Sequence, residues 1–215
     1  MGPAFIFDVD GVIVDSNPVH VQVWREYLSR LGFHVDQSLP HRMYGLRNDE
    51  IVRDLIGGPL TPEQVEAHGA AKEALYREVM RPQLARRLVP GVVQFVRERA
   101  GLPMGVASNA EPANVEFILQ ESGLKDCFSV VVDGHQVERP KPEPEIFLRA
   151  AELLGRSPDE CVVFEDSIAG VEAARAAGAV VVALRTTHSV FSGAHFVIDN
   201  FLSPDLEPWL GQLRN

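Results

Sequence analysis

Residues 4–14, AFIFDVDGVIV, begin as an unbroken apolar run, the pattern of a strand buried on both faces. Two carboxylates and a glycine then mark where that strand leaves its sheet. Past Asp15, Ser16 and Asn17, Pro18 suits a first helical turn, and Val21, Trp24, Leu28 and Leu31 recur at helical spacing until Gly32 ends the run. Further helices are expected at about 48–56 and, behind the Thr61-Pro62-Glu63 start signal, at about 62–81. The segment 15–87 therefore reads as helical.

Beyond Pro90-Gly91 the pattern alternates. A helix near 92–100 leads to the strand PMGVAS, a helix near 111–122 to FSVVV, one near 143–154 to CVVFED, and one over 168–177 to VVVAL. HFVID adds one more strand and 203–213 a closing helix. Short apolar runs separated by helices predict a parallel sheet with both faces covered. The expected fold class is α/β: a Rossmann-like core of 1–14 and 88–215, with a helical cap domain, 15–87, inserted after the first strand and covering the strand ends.

The 215 residues, 46% of them hydrophobic, suit one folded unit with such an insertion. With 30 acidic against 20 basic side chains the net charge is −10, which excludes the basic footprint of a nucleic-acid binder. No stretch approaches the roughly 18 apolar residues of a membrane span, and no basic region precedes the first apolar run. The two cysteines, Cys127 and Cys161, lack metal-pair or disulfide-framework spacing. These features point to a cytoplasmic protein that works as a monomer or weak homo-oligomer, without nucleic-acid or membrane partners.

In an open parallel sheet ligands bind beyond the carboxyl ends of the strands, so polar residues placed there are the ones to collect. They are Asp8 and Asp10 after the first run, Ser108 and Asn109 after PMGVA, Lys141 in RPKPEPEIF, and Glu165 with Asp166 after CVVF. Singly, each has a plain structural explanation as a turn, a helix cap or a solvated loop. Four such groups at the strand ends of one sheet converge on one cleft, which capping alone does not require. Lysine is also scarce: Lys72, Lys125 and Lys141 stand against 17 arginines, so a lysine at 141 weighs against a merely solvated turn.

The segments FDVDGVIVDS, VASNA, RPKPEPEIF and FEDSIAGVEAARAAGA resemble, in order, the four motifs of the haloacid dehalogenase superfamily. The insertion after the first is similar to the cap of its β-phosphoglucomutase-like group. The resemblance implies that Asp8 attacks a phosphoryl group to form an aspartyl-phosphate, and that Asp10 protonates the leaving oxygen and later deprotonates water. It implies that Ser108, Asn109 and Lys141 hold the phosphoryl oxygens. Mg²⁺ would be bound by the Asp8 carboxylate, the Asp10 backbone carbonyl and Asp166, with Glu165 close by. Four carboxylates facing a phosphate dianion need cations, which the metal and Lys141 supply. Like-charge repulsion is expected to raise the pKa of whichever carboxylate the metal does not neutralise, which suits Asp10 to act as the acid. An alkoxide leaving group needs that proton and a halide does not, so dehalogenation is disfavoured. The stretch GLRN offers no lysine for the Schiff base of phosphonoacetaldehyde hydrolases.

Within the cap, His20, Arg47 and Lys72 are the expected substrate-facing residues. Where β-phosphoglucomutases carry Lys-Gly-x-x-Arg, this chain has Tyr44-Gly45-Leu46-Arg47-Asn48, losing the lysine and moving the arginine by one position. The leading expectation is a Mg²⁺-dependent phosphatase acting on a small phosphorylated metabolite such as a sugar phosphate. A sugar-phosphate mutase is the alternative, and a non-catalytic metal- or phosphate-binding regulator comes third.

Overall fold

The computed structural model describes residues 2–34, 37–39 and 48–213. Strand β1 (Ala4–Phe7) is followed by helices α1 (Asn17–Arg30), α2 (Asn48–Ile56), α3 (Pro62–Met80) and the single turn α4 (Leu84–Arg87). Then come α5 (Val92–Arg97), β2 (Met104–Ala107), α6 (Pro112–Glu121), β3 (Val130–Val132), α7 (Glu145–Leu153), β4 (Cys161–Glu165), α8 (Ile168–Ala177), β5 (Val180–Leu184), β6 (Phe196–Ile198) and α9 (Leu206–Gln212). The six strands form one parallel sheet in the order β3-β2-β1-β4-β5-β6. The expected α/β class with a Rossmann-like parallel sheet is what the chain adopts.

Strand alternation sorts the core onto two faces. Phe5 and Phe7 of β1 join Phe95, Phe128, Phe164 and Phe201 on one face, where the Phe7 and Phe164 rings stack at 4.9 Å. Ala4 and Ile6 join Ala107, Val163, Val181 and Ala183 on the other, and there small residues of α7 and α8, Ala150, Ala151, Ala173 and Ala174, bring those helices close to the sheet. A third cluster, Val21, Trp24, Leu28, Leu39, Ile51, Val52 and Val65, lies wholly between 21 and 65. Leu31 departs from expectation: α1 ends at Arg30, and Leu31 is 42% exposed at the helix terminus instead of on its apolar side.

The crossovers place the site. The chain runs outward from β1 through β2 to β3, then returns to the far side of β1 for β4, β5 and β6. Strand β1 therefore sits at the switch point, where the connections before and after it diverge and leave a crevice. Asp8 follows β1 directly at that crevice, its N–H bonded to the Phe164 carbonyl of β4 at 3.0 Å.

Candidate active site

Asp8, Ser108, Asn109, Lys141, Glu165 and Asp166 line one cavity of about 630 Å³, together with Asp10, His20 and Lys72. Lys141 is its electrostatic centre. Its buried ammonium donates to Asp8 Oδ1 at 2.8 Å, Glu165 Oε1 at 2.6 Å and the Ala107 carbonyl at 3.0 Å, using all three of its hydrogens. Asn109 Oδ1 accepts from the Lys141 N–H at 3.4 Å, and the Lys141-Pro142 peptide is cis. Burial would lower the lysine's pKa, but the charges of Asp8 and Glu165 outweigh it and hold the group protonated well above the usual range.

Asp8, Glu165 and Asp166 can bring one oxygen each within 4.8 Å of the others. Burial is the main cause that raises Asp8, with the charges of Glu165 and Asp10 adding to it and Lys141 opposing, and its pKa reaches about 7. Asp166 is pushed well above the carboxylate range, first by burial and then by Glu165 and Asp8. Glu165 is already well supplied with donors. Besides Lys141 it accepts from the N–H groups of Asp166 and Ser167 at 2.8 and 2.9 Å and from the Ser167 hydroxyl at 3.0 Å. Ser167 also caps α8, accepting from Gly170 N–H at 2.9 Å.

Two glycines are required by this packing. A Cβ at Gly170 would lie 1.9 Å from Glu165 Oε1, and one at Gly11, whose φ is +73°, would lie 1.9 Å from Asp166 Oδ2. Asp166 also accepts from the Thr187 hydroxyl, and Thr187 in turn accepts from Asn17 Nδ2 at 2.6 Å. Thr186 donates to the Gly11 carbonyl at 2.6 Å and approaches the same Asp166 oxygen at 3.4 Å. The threonine pair follows VVVAL, a strand end to which the sequence analysis assigns no site residue.

Asp10 differs from its two neighbours. Burial pushes its carboxyl up, but His20, the Ser16 hydroxyl that donates to Oδ1, and the Lys72 charge together hold it below the usual range. The raised carboxyls are Asp8 and Asp166, and Asp10 stands apart from them. His20 Nε2 stands 3.6 Å from Asp10 Oδ1, an electrostatic approach slightly long for a hydrogen bond. The His20 ring stacks on Tyr76 at 3.9 Å.

Lys72 is not a solvated helix lysine. It is 2% exposed, donates to Glu73 Oε1 at 2.7 Å, meets His20 Nδ1 at 2.8 Å and lies 5.1 Å from the Trp24 ring centroid. Arg47 and Tyr44 lie outside the described residues. Sequence reasoning gave no site role to Ser16, Trp24, Glu73 or Asn114, and named Asn48 only as the residue standing where β-phosphoglucomutases carry their arginine.

Convergent carboxylates, a buried lysine and strand-end polar groups at a switch point define an α/β enzyme of the hydrolase type. The chain belongs to the haloacid dehalogenase-like hydrolase family, whose family model matches residues 3–178. It is 36% identical over 175 residues to the fructose-1-phosphate phosphatase YqaB of Escherichia coli K12, a match covering 80% of this chain and 91% of that protein. It is 32% identical over 211 residues to the bifunctional riboflavin kinase/FMN phosphatase of Arabidopsis thaliana, covering 95% of this chain but only 55% of that longer protein. The CbbY structure of Rhodobacter sphaeroides with phosphate superposes at a TM-score of 0.81 with 27% identity, covering 94% of this chain and 96% of that one. A β-phosphoglucomutase from Clostridium difficile shares the fold at a TM-score of 0.85 and 24% identity, over 100% of this chain and 98% of that one. Among the described residues, no helix is long and apolar enough to cross a membrane.

Proposed function

We propose that the protein is a Mg²⁺-dependent phosphatase of a small phosphorylated metabolite, a sugar phosphate, working through an aspartyl-phosphate on Asp8, with 15–87 as its cap. The observation that carries this reading is the Lys141 ammonium, held between Asp8 and Glu165 inside a cavity of metabolite size. The relatives named as sugar-phosphate and FMN phosphatases support it.

The donor set fits a hard divalent cation: three carboxylates converge, every donor is oxygen, and one ammonium does not neutralise them. Asp8, Asp166 and the Asp10 carbonyl would hold the ion, while Glu165, occupied by Lys141 and the α8 N-terminus, fixes the lysine. When bound, Mg²⁺ supplies charge neutralisation for the phosphoryl oxygens.

Lys141 grips one oxygen of Asp8, leaving the other to attack phosphorus. As the Asp8–phosphorus bond forms, the ester P–O bond breaks and its oxygen takes a proton from Asp10. Water then attacks phosphorus and gives its proton to Asp10, the Asp8–phosphorus bond breaks, and phosphate leaves. Ser108 and Asn109 donate to the equatorial oxygens. Asp10 starts ionised, so its acid role requires loading with a proton, which the repulsion of an arriving phosphate dianion favours.

A mutase must also grip a second phosphate. Lys72 and Arg77 both line the cavity, yet Lys72 is paired with Glu73 and Arg77 donates to Asn114 Oδ1 at 2.7 Å. Those commitments favour hydrolysis. Phosphate release from a panel including fructose 1-phosphate, FMN and β-glucose 1-phosphate, with Mg²⁺ and with chelator, tests the reading, with isomer formation scored separately. No release from any ester would sink it, and isomerisation a hundredfold faster than release would establish the mutase.

A further inference from the structure

Glu73 is a carboxylate placed where water scarcely reaches it, at 5% exposure, and such a group is costly unless its oxygens are occupied. They are occupied from three separate elements. Lys72 of α3 and Asn48 at the start of α2 each donate to Oε1 at 2.7 Å, and Asn114 of α6 donates to Oε2 at 2.6 Å. The orientation of the Asn114 amide is forced, because a carboxylate only accepts and a guanidinium only donates. Its nitrogen must therefore face Glu73 and its oxygen Arg77. The chain Arg77→Asn114→Glu73 leaves α3, enters α6 and returns to α3.

The same logic fixes the lysine. Lys72 donates to His20 Nδ1, so the neutral histidine carries its proton on Nε2, the nitrogen facing Asp10. An ammonium 2% exposed, resting on the Trp24 face, holds this pose only while Glu73 balances its charge. Glu73 is in turn fully bonded only when α3 is seated against Asn114.

We propose that Glu73 is a positioning residue of the active site: it aims Lys72 at His20, and its bond to Asn114 makes that aim conditional on α3 docking onto α6. The catalytic consequence rests on the phosphatase reading above; the structural one does not. Neither Glu73 nor Asn114 touches the reacting atoms. Their effect passes through Lys72 and His20 to the group that handles the leaving-group proton.

The scarcity of lysine supplies the test. With only Lys72, Lys125 and Lys141 in the chain, ¹⁵N spectra of the side-chain ammonium groups are readily assigned. Lys72 and Lys141 are buried and should exchange slowly with water, whereas Lys125, 51% exposed, should not be seen. In Glu73→Gln and Asn114→Leu the Lys72 signal is expected to vanish while that of Lys141 persists as the control for folding. For phosphate release, kcat should fall at least tenfold with KM within threefold. Should Asn114→Leu lose the Lys141 signal too, Asn114→Asp, which sets a second carboxylate against Glu73 and keeps a partner for Arg77, must give the same pattern. A Lys72 ammonium still protected in a folded Asn114 variant, or kcat unchanged in Glu73→Gln, overturns the proposal. A wild-type protein that releases phosphate from no ester defeats the phosphatase reading instead, and the spectra still decide the positioning.

Discussion

Raising the pH of the metal-free protein from 5 to 8 should destabilise it. Asp8 titrates near 7 when folded, against an ordinary value of 3.8. The folded chain therefore holds a proton over this window that the unfolded chain has released, and stability falls as the pH rises through the folded value. At 1.36 kcal/mol per pKa unit the full difference is about 4 kcal/mol, of which somewhat more than half is lost between pH 5 and 8. For a chain of this size that lowers the melting temperature by about 5–10 °C. Asp166, raised by the same burial, adds to the loss, while Lys141 stays charged throughout. His195 works in the opposite sense: burial lowers its pKa, so its contribution grows as the pH rises toward the unfolded value near 6.5. Asp8→Asn removes this carboxylate and the charge that helps to raise Asp166, and leaves His195 untouched. Urea unfolding in chelator, at half-unit pH steps, should show a steeper decline for wild type than for Asp8→Asn. Excess Mg²⁺ should flatten the wild-type decline by binding the ionised carboxylates. Equal slopes for wild type and variant, or stability rising from pH 5 to 8 in both, would refute the argument.

Three other changes are informative. Gly170→Ala drives a methyl group into Glu165, so it should cost about 2–3 kcal/mol in urea unfolding and also depress phosphate release by displacing the carboxylate that holds Lys141. Asp10→Asn should slow release from alkyl phosphates by about 10²–10⁴-fold, while phosphoenzyme formation from an acyl phosphate, whose leaving group needs no proton, should suffer far less; equal losses would remove the acid role. Cys161, fully buried with its thiol pushed up to about 11 by that burial, should resist iodoacetamide at pH 7 in the folded protein while Cys127 is alkylated, as read by mass spectrometry of tryptic peptides.

What the chain discloses before folding is whatever obeys a local period. AFIF, CVVF and VVVAL are apolar without interruption because their strands are covered on both faces, and the polar residues after the first two are where the cavity lies. The same rule applied to VVVAL reaches Thr186 and Thr187, which steady Asp166. The third strand shrinks to Val130–Val132 because Phe128 and Ser129 of FSVVV precede its ladder with β2. Glu73 and Asn114 were not legible, since they are 41 positions apart and each looks like a polar position on an amphipathic helix. Their meeting depends on how two helices dock, which no local period encodes. Trp24 sits at the helical spacing of a core residue and is one, yet its ring also seats the Lys72 ammonium.

The low pKa of Asp10 beside two raised carboxyls has a physical origin. Counting charges predicts that crowded carboxylates share an elevated pKa, and Asp8 and Asp166 obey because burial dominates both. Asp10 escapes because the turn after β1 brings Ser16 onto its carboxylate, and α1 brings His20 within 3.6 Å. Charge alone thus ranks these groups wrongly, and the donors that correct the ranking come from α1 and the turn before it. On the proposed mechanism, a carboxylate kept ionised by these donors is in the form that accepts a proton from water in the second half-reaction. For the first half-reaction it must be loaded, and the position of His20 between Asp10 and Lys72 makes that loading sensitive to how α3 is seated. On that mechanism, proton handling and the seating of α3 meet at His20.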